Sequence, residues 1–352
     1  MALEDAQLSY ETQRAAKLQL ILDQPMSDMM TGLVNRDFEG DFFKVGDTVS
    51  IIKPDVKSAK IAQGSLLDAS ATGTAGYFAG TVTSGELAAT ADDRLDASDL
   101  KFSKSFMQID KYMKYAFLVS DITKTEGGYN YESGGIDMVG HNIRKAHNLE
   151  IAELCLNDTT LKANATTDGM GAAAPISVAN VDALYEEVIL PMWARLYDAG
   201  AITKDGQVTF GSNPQQGKQT YGKIYVPTKL YTQLLKSKYL TDRSTVDADT
   251  KVETGKVKTL LGLEVEVEPA LITRTAAVAN DYNNVTVADA AAGTFAIVMG
   301  TRNAVTHAGK VLPPESFRSH SKFGTEYHGL EIYGQELISP ESCAIAFCKL
   351  TA

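Results

Sequence analysis

Apolar and polar residues follow their clearest pattern in the last fifth of the chain, residues 295–350. Ala296–Met299 is a continuous apolar run, which is typical of a strand buried on both faces. Leu330–Tyr333 alternates aliphatic side chains with Glu331 and a tyrosine, as a half-buried strand does. A Ser-Pro turn then precedes a second apolar run, Ala344–Phe347. The pattern predicts sheet strands that act as a scaffold, because it contains no nucleophile, metal-ligand or phosphate-binding motif.

A second pattern predicts a long helix at Ile136–Asn157, where apolar residues recur at spacings of three and four. Such a helix is more than about 30 Å long, which suits a spine laid across a sheet. The residues expected to face that sheet are Val139, Ile143 and Leu154. The residues expected on its polar face are His141, Asn142, Arg144, Lys145, Asn148 and Glu150.

The middle of the chain predicts a second subdomain, a small sheet with helices packed on it. Asn180 is the expected cap of a helix over residues 181–199, and Pro191 should kink or split that helix. The elements expected after it are a strand at Lys223–Pro227, a helix at Lys229–Leu240 and a half-exposed strand at Gly262–Pro269.

The front of the chain predicts a helix, a strand and a long loop. Residues 3–23 have helix-forming composition, which fits an arm lying on another surface or a plain surface helix. A turn at Gly46 precedes a strand in which Val49 and Ile51 share one face. Small and polar residues dominate Asp55–Ser103, which favours either a functional loop that pairs outside its own subunit or a disordered insertion.

Two stretches are candidate arms of a long hairpin associated with this loop, Tyr77–Val82 and Ser105–Ile109. The segment that follows, Ile109–Asp121, predicts a strand that leads back toward the long helix.

Composition is that of an ordinary folded protein, with 352 residues, 44% hydrophobic and 22% charged. The net charge of −11 argues against a protein that grips nucleic acid through a basic surface. The chain begins Met-Ala-Leu-Glu-Asp, without a basic or apolar leader, and no window approaches the roughly 18 apolar residues of a membrane span. We therefore expect no signal peptide, no membrane association, and folding in the cytosol.

Candidate chemistry is weak. Gly211–Thr220 is close to a P-loop, but its glycines are one residue too far apart and Gln219 stands where Ser or Thr must hold the metal. A loop between two elements is the better interpretation. Asp247–Asp249 lacks the glycine and the terminal glutamate of a calcium loop, so it predicts a solvated turn.

The histidines and cysteines do not form a recognisable site either. His141 and His147 lie six residues apart on the predicted helix, so they share no face, and we expect both to be solvated. Cys155, Cys343 and Cys348 are odd in number and unpatterned, as small core residues in a reducing compartment are. The prediction is a protein that is not an enzyme, with no catalytic residue, no cofactor and no metal.

Three segments carry a family resemblance. The strongest is Phe323–Glu341, which reads Phe-Gly-x-x-x-x-Gly-Leu-x-x-Tyr-Gly-x-x-x-Ile-x-Pro-Glu; the others are Val45–Val49 and Ile109–Asp121. Together with the order of elements, from about Phe43 to Leu350, they resemble the major capsid proteins of tailed bacteriophages with the HK97-like fold, in particular the P22 coat-like family.

The resemblance implies an α+β fold with an N-terminal arm, an extended β-hairpin loop (E-loop), a peripheral domain with a long spine helix on a β-sheet, and a central (axial) α/β domain. The implied boundaries are 1–44 for the arm, 45–123 for the extension loop with flanking peripheral-domain strands, 124–178 for the peripheral domain with the spine helix, 179–305 for the axial domain, and 306–352 for the closing strands of both sheets.

The function implied is that of a shell subunit, which self-assembles as pentamers and hexamers into an icosahedral capsid around double-stranded DNA. The implied partners are further copies of the chain, a separate scaffolding protein, a portal, a decoration protein in some family members, and DNA contacted without sequence specificity. The implied location is the virion, assembled in the cytoplasm of a bacterial host. Two alternatives stay open, an encapsulin-like nanocompartment shell of the same fold and an α/β enzyme built on residues 179–310.

The resemblance also implies that the extension loop lies across a neighbouring subunit. Lys57, Lys60, Lys101 and Lys104 flank the loop and are the candidates for ion pairs with acidic residues of that neighbour. The alternative is that they are ordinary solvated lysines, since exposed pairs are worth only about 0–1 kcal/mol each.

Overall fold

The computed structural model describes residues 29–37, 46–54, 102–122, 131–208, 222–235, 257, 259–274, 284–312 and 314–351. Contacts divide the chain into two units, of which the smaller spans Thr48–Met107 and the larger contains the rest. The elements of the smaller unit are two paired strands, β2 (Thr48–Pro54) and β3 (Phe102–Gln108, whose last residue belongs to the larger unit).

The helices of the larger unit are α1 (Met29–Gly32), α2 (Tyr131–Asn157), α3 (Thr159–Thr167), α4 (Val181–Leu184), α5 (Leu190–Asp198) and α6 (Thr228–Leu235). Its strands are β1 (Val34–Asn35), β4 (Lys111–Ser120), β5 (Ile176–Val178), β6 (Lys223–Val226), β7 (Thr259–Leu260), β8 (Leu263–Val267), β9 (Thr273–Arg274), β10 (Val285–Thr286), β11 (Phe295–Gly300), β12 (Val305–Val311), β13 (Glu315–Arg318), β14 (Gly324–Leu337) and β15 (Cys343–Leu350). None of the helices in the described ranges is long and apolar enough to cross a membrane.

A six-stranded sheet in the order β5-β15-β11-β6-β8-β7 holds the main apolar core. Its central strand β11 pairs antiparallel with both β15 and β6, and all of its residues are buried. The continuous apolar run Ala296–Met299 is therefore a fully buried strand, as its pattern predicts. In β8, Leu263 and Val265 are buried and Glu264 and Glu266 are half-buried, which confirms the predicted alternation.

A five-stranded sheet is built around the long strand β14. One edge of β14 pairs with β4 over Gly324–Tyr333, and the other edge pairs first with β13 and then with β12. A short parallel strand, β1, completes the sheet beside β12. The strand predicted to lead into the long helix is β4, and the turn predicted at Ser339 and Pro340 contains a 3₁₀ turn that leads into β15.

The long helix α2 packs against one face of the five-stranded sheet. Ile136 and Ile143 form its buried apolar contact there, with Phe117 of β4 packed against them. The helix begins at Tyr131, five residues before the expected start, so Gly135 lies inside it. A Cβ at Gly135 would lie 2.5 Å from Phe117 Cε2, and the close approach of helix and sheet explains a glycine in a helix interior.

The helix predicted around Pro191 is split, as expected. Asn180 Oδ1 accepts a hydrogen bond from the Ala183 N–H at 2.9 Å and caps α4. A π-helical segment, Tyr185–Ile189, then joins α4 to α5 just before the proline. Because proline lacks an N–H, the regular hydrogen-bond ladder cannot continue through it, and the π turn absorbs the mismatch.

One arm of the predicted hairpin is a strand in the structure, since Ser105–Gln108 lies in β3, which pairs with β2. The other expected arm, Tyr77–Val82, lies outside the described residues, so the hairpin itself stays a prediction. In β2, Val49 and Ile51 are buried and Thr48 and Ser50 are exposed, which confirms the predicted alternation.

Other predicted segments cannot be compared with the structure. The ranges outside the described residues include the predicted arm helix at 3–23, most of the loop at 55–103, the P-loop-like segment at 211–220 and the turn at 247–249.

Candidate functional site

The predicted core residues of α2 contact two different cores. Ile143 is buried against the five-stranded sheet, and Val139 is partly buried in the same cluster. Leu154, one turn beyond that sheet, is partly buried and packs against the main apolar core of the six-stranded sheet. Of the lysines predicted to contact a neighbour, Lys104 lies in β3, and Lys57, Lys60 and Lys101 lie outside the described residues.

On the face of α2 that packs against the five-stranded sheet, polar contacts lie on both sides of the apolar residues. At the N-terminal end, the Tyr327 hydroxyl donates to Glu132 Oε2 at 3.1 Å. Near the C-terminal end, the Tyr333 hydroxyl lies 2.8 Å from both carboxylate oxygens of Glu150. Because 132, 136, 139, 143, 147 and 150 recur at spacings of three and four, these polar residues share the apolar face.

His147 lies in the middle of this polar contact, and the prediction that it is solvated is wrong. Its side chain is fully buried, and its Nε2 lies 3.0 Å from Glu331 Oε1 of β14. Its Nδ1 lies 3.1 Å from the Gln335 amide nitrogen, which also lies 3.2 Å from His307 Nδ1. We call His147, His307, Glu331 and Gln335 the buried polar cluster.

Hydrogen-bond direction assigns the ring protons of this cluster. The Gln335 NH₂ group only donates, so both imidazoles accept through Nδ1. The neutral His147 then carries its proton on Nε2 and donates it to the Glu331 carboxylate. Its aromatic surroundings hold this orientation, since Tyr333 meets the His147 ring edge-on at 4.6 Å.

Two other predicted polar-face residues are also buried. Arg144 and Asn148 are 4% and 8% exposed, while His141 is exposed as expected. The helix is therefore buried over a wider arc than its apolar residues indicate. Hydrophobic periodicity misses this arc because the residues buried in it are polar.

Burial and neighbouring charges displace several pKa values around the cluster. Burial, and then the neighbouring His147, Arg36 and Lys111, hold the pKa of His307 well below its ordinary value of 6.5. Burial and the Glu331 charge raise the pKa of the Tyr115 hydroxyl to about 12. His307 and Tyr115 are thus favoured in their neutral forms.

Three buried polar atoms here have no hydrogen-bond partner among the described residues: Tyr115 Oη, Glu331 Oε2 and Gln335 Oε1. Buried oxygens of this kind are costly, because they lose hydration without gaining a partner. Glu331 is 2% exposed, so its second oxygen has no access to bulk solvent.

The opposite face of the five-stranded sheet is open. Along β4 the even-numbered side chains from Tyr112 to Leu118 are exposed, Tyr112 at 57% and Leu118 at 36%. Phe317 of β13 is 43% exposed and its ring lies 4.7 Å from that of His328 in β14. Tyr112, Leu118, Phe317 and His328 define what we call the outer sheet face.

The alternation predicted for β14 is present, and the buried side of the strand is the polar one. The aliphatic residues Leu330 and Ile332 are only partly buried, and Glu331, Tyr333 and Gln335 are the buried side. A signal was present: three polar or amphipathic residues at spacing two share one face, and a strand whose polar face is continuous can bury it against a polar partner. His147 is the matching signal on α2.

Comparisons by sequence find no relative. No protein-family profile matches the chain, and no curated protein sequence matches it.

Comparison by structure gives a clear result. A chain from a structure of Mycobacterium phage Che8 is 15% identical and matches with a TM-score of 0.56 over 92% of both chains. A chain from the mature capsid of bacteriophage PhiM1 is 12% identical and matches with a TM-score of 0.50, over 94% of this chain and 89% of the other. The chain therefore has the α+β HK97-like fold of phage capsid proteins, and the fold expected from the resemblance is confirmed.

Proposed function

We propose that this protein is a non-enzymatic capsid subunit, which self-assembles as pentamers and hexamers into an icosahedral phage shell around double-stranded DNA. The observation that supports it most is the structural likeness to the PhiM1 capsid and Che8 chains over nearly the whole length. Coverage of this extent includes both sheets and the long helix, so the likeness is not limited to one common substructure.

The outer sheet face supplies a candidate contact with a second copy of the chain. Tyr112, Leu118 and Phe317 are large apolar residues that a monomer leaves in water. Exposed aromatic residues around a few charged ones are typical of protein contact surfaces. Lys114 over Tyr112, at 5.0 Å from the ring centroid, and His328 beside Phe317 supply the polar groups.

The partners proposed beyond the chain itself are a separate scaffolding protein, a portal and, as in some family members, a decoration protein. The proposed location is the virion, with assembly in the bacterial cytoplasm. Contact with DNA would be non-specific and weak, because the net charge of −11 repels phosphates at long range.

Electron microscopy of the expressed chain, alone and with the products of neighbouring genes, tests the proposal. We expect closed icosahedral particles in at least the second preparation. Particles absent from both, with the chain folded and monomeric at high concentration, would contradict it.

A pair of variants tests the contact surface separately. Phe317→Asp should leave the subunit folded and reduce the yield of particles strongly. Tyr197→Asp is the matched control, because Tyr197 is a ring of similar exposure, 45%, on α5 rather than on the outer sheet face. Equal particle yields from the two variants would remove the outer sheet face from the assembly contact and leave the shell function standing.

A further inference from the structure

Three side chains of the buried polar cluster have the donor atoms of a transition-metal site. One ring nitrogen each of His147 and His307 and one carboxylate oxygen of Glu331 all lie within 4.8 Å of one another, and all three residues are buried. They come from three elements, α2, β12 and β14. Two imidazoles and a carboxylate are a donor set that Zn²⁺ accepts at about 2.0–2.2 Å, whereas Mg²⁺ and Ca²⁺ prefer oxygen alone.

The shape of β12 directs the second histidine toward the third ligand. A Cβ at Gly309 would lie 2.7 Å from His307 Nε2, so the ring of His307 extends along β12 over this glycine. The next residue on the same face of β12 is Val311, whose register partner is Glu331. Because Gly309 has no side chain, the His307 ring can lie over it with Nε2 directed toward the Glu331 carboxylate.

The unpartnered oxygens are a second, independent indication of a ligand. Glu331 Oε2 and Gln335 Oε1 are buried without a hydrogen-bond partner among the described residues. When Glu331 is ionised, its carboxylate can accept hydrogen bonds but cannot donate them. Two neutral imidazoles do not compensate its negative charge. A divalent cation held by the carboxylate would compensate that charge and engage the second oxygen.

We propose that His147, His307 and Glu331 bind one Zn²⁺ ion between the helix α2 and the five-stranded sheet. His147 and His307 would bind through Nε2, and Glu331 through its carboxylate. The His147 proton moves from Nε2 to Nδ1, so binding needs only a change of tautomer at this residue.

Gln335 completes the arrangement without being a ligand. Rotation of its amide by about 180° places Oε1 where the NH₂ group now faces both Nδ1 atoms, at 3.1 and 3.2 Å. Each Nδ1–H then donates to Oε1, which has no partner in the present orientation. A metal-bound histidine usually donates its other ring N–H to an oxygen in this way.

The consequence would be a fixed helix-to-sheet contact. His147 Nε2 and Glu331 Oε1 already lie 3.0 Å apart, so the main adjustment on metal binding would be the approach of the His307 ring to these two atoms. This site does not depend on the proposed shell function, since a folded subunit could bind zinc without assembling.

The test uses the full-length chain produced in medium supplemented with Zn²⁺ or, separately, Co²⁺, because a buried site is best loaded during folding. After gel filtration we expect about one ion per chain, and for Co²⁺ the intense visible absorption of a tetrahedral site. The variants Glu331→Gln and His307→Asn should lose the ion and the absorption. The control His141→Asn removes an exposed histidine of the same helix and should keep both.

Circular dichroism and thermal unfolding distinguish loss of the site from loss of the fold. Glu331→Gln is nearly isosteric, so we expect it to remain folded, and added Zn²⁺ should raise the melting temperature of the unmodified chain only. The proposal is overturned if the unmodified chain carries no more zinc than Glu331→Gln, or if His141→Asn loses the ion equally. Zinc-free protein would leave an ordered water as the partner of the two oxygens.

Discussion

The six-stranded and the five-stranded sheet of the larger unit bury opposite kinds of side chain. The six-stranded sheet is apolar throughout its centre, where every residue of β11 is buried. The five-stranded sheet has a small apolar contact with α2 around Ile136 and Ile143, and beside it a polar one made of histidine, glutamate, glutamine and tyrosine. The five-stranded sheet packs against α2 with one face and leaves the other open, whereas β11 of the six-stranded sheet is buried along its whole length.

This difference separates the interactions that fix the position of a helix on a sheet from those that stabilise the fold. Apolar burial stabilises in proportion to area, at about 25 cal/mol per Å², and tolerates small shifts. A buried hydrogen-bond network adds less net energy, but each partner has one correct place. The contact between α2 and β14 is thus better suited to fix the register of the helix along the sheet than to stabilise the fold.

Thiol reactivity should show the largest contrast between the regions. Cys343 and Cys348 lie in β15, where a hydrogen bond with Cys155 together with burial raises the pKa of the first and burial raises the pKa of the second to about 12. All three cysteines are buried. We expect the native chain to react with a thiol reagent at pH 8 at least about 10³-fold more slowly than the unfolded chain, because reaction requires opening.

Ala116→Cys gives the matching exposed thiol, on β4 facing away from α2. It should react in the isolated subunit as fast as a free thiol. Rapid reaction of the native cysteines in the parent chain would show that the six-stranded core opens easily.

A charge placed in the apolar contact of the five-stranded sheet should have the next largest effect. Ile143→Asp puts a carboxylate into a buried cluster without a designed partner and should lower the free energy of unfolding by about 3–5 kcal/mol, enough to make most of the protein insoluble. Met138→Asp is the control, since Met138 is 69% exposed on the same helix. Soluble yield, and urea denaturation of the soluble fraction, measure both variants, and a soluble Ile143→Asp protein of normal stability would contradict the observed packing.

A double-mutant cycle should measure the polar contact itself. In the presence of a metal chelator, His147→Leu and Glu331→Leu should each lower the free energy of unfolding by about 1–3 kcal/mol, because each leaves a buried partner without its hydrogen bond. The double variant should cost less than the sum, with a coupling of about 1 kcal/mol or more.

The same strand offers the control cycle on its other face. His328 and Glu326 form a pair at 3.3 Å in which the histidine is 47% exposed. Its coupling should be clearly smaller than that of the buried pair, because solvent screens an exposed pair. Equal couplings in the two cycles would mean that burial adds nothing to the His147–Glu331 contact.

The sequence alone predicts an element correctly where the residues that it buries are apolar. The run Ala296–Met299 and the split at Pro191 follow from rules that need no knowledge of the partner element. His147 and Glu331 are different, because each is polar by itself and is buried only since the other lies opposite, 184 positions along the chain. A pattern of single residues therefore predicts His147 in solvent and does not indicate which face of β14 is buried.

The smallest effects concern the lysines that flank the extension loop, and this prediction depends on the proposed shell function. Replacing Lys57, Lys60, Lys101 and Lys104 with Glu changes the net charge from −11 by −8 to −19. If each lysine pairs with an acidic residue of a neighbour, the loss per pair is about 0–1 kcal/mol, yet it recurs at every subunit contact of a shell. The folded subunit should melt nearly as before, while assembly becomes slower or yields misformed particles.

Raising the salt concentration distinguishes general repulsion between subunits from specific lysine pairs. Repulsion between like-charged subunits acts over about 8 Å in physiological salt and weakens as salt is raised. The matched control replaces four lysines elsewhere, Lys145, Lys162, Lys229 and Lys349, with Glu and so carries the same net charge. If general repulsion is the cause, both variants fail alike and both recover in high salt. If the loop lysines make specific pairs, the control assembles and the loop variant stays defective at every salt concentration, and normal particles from the loop variant would show that apolar contacts position the loop instead.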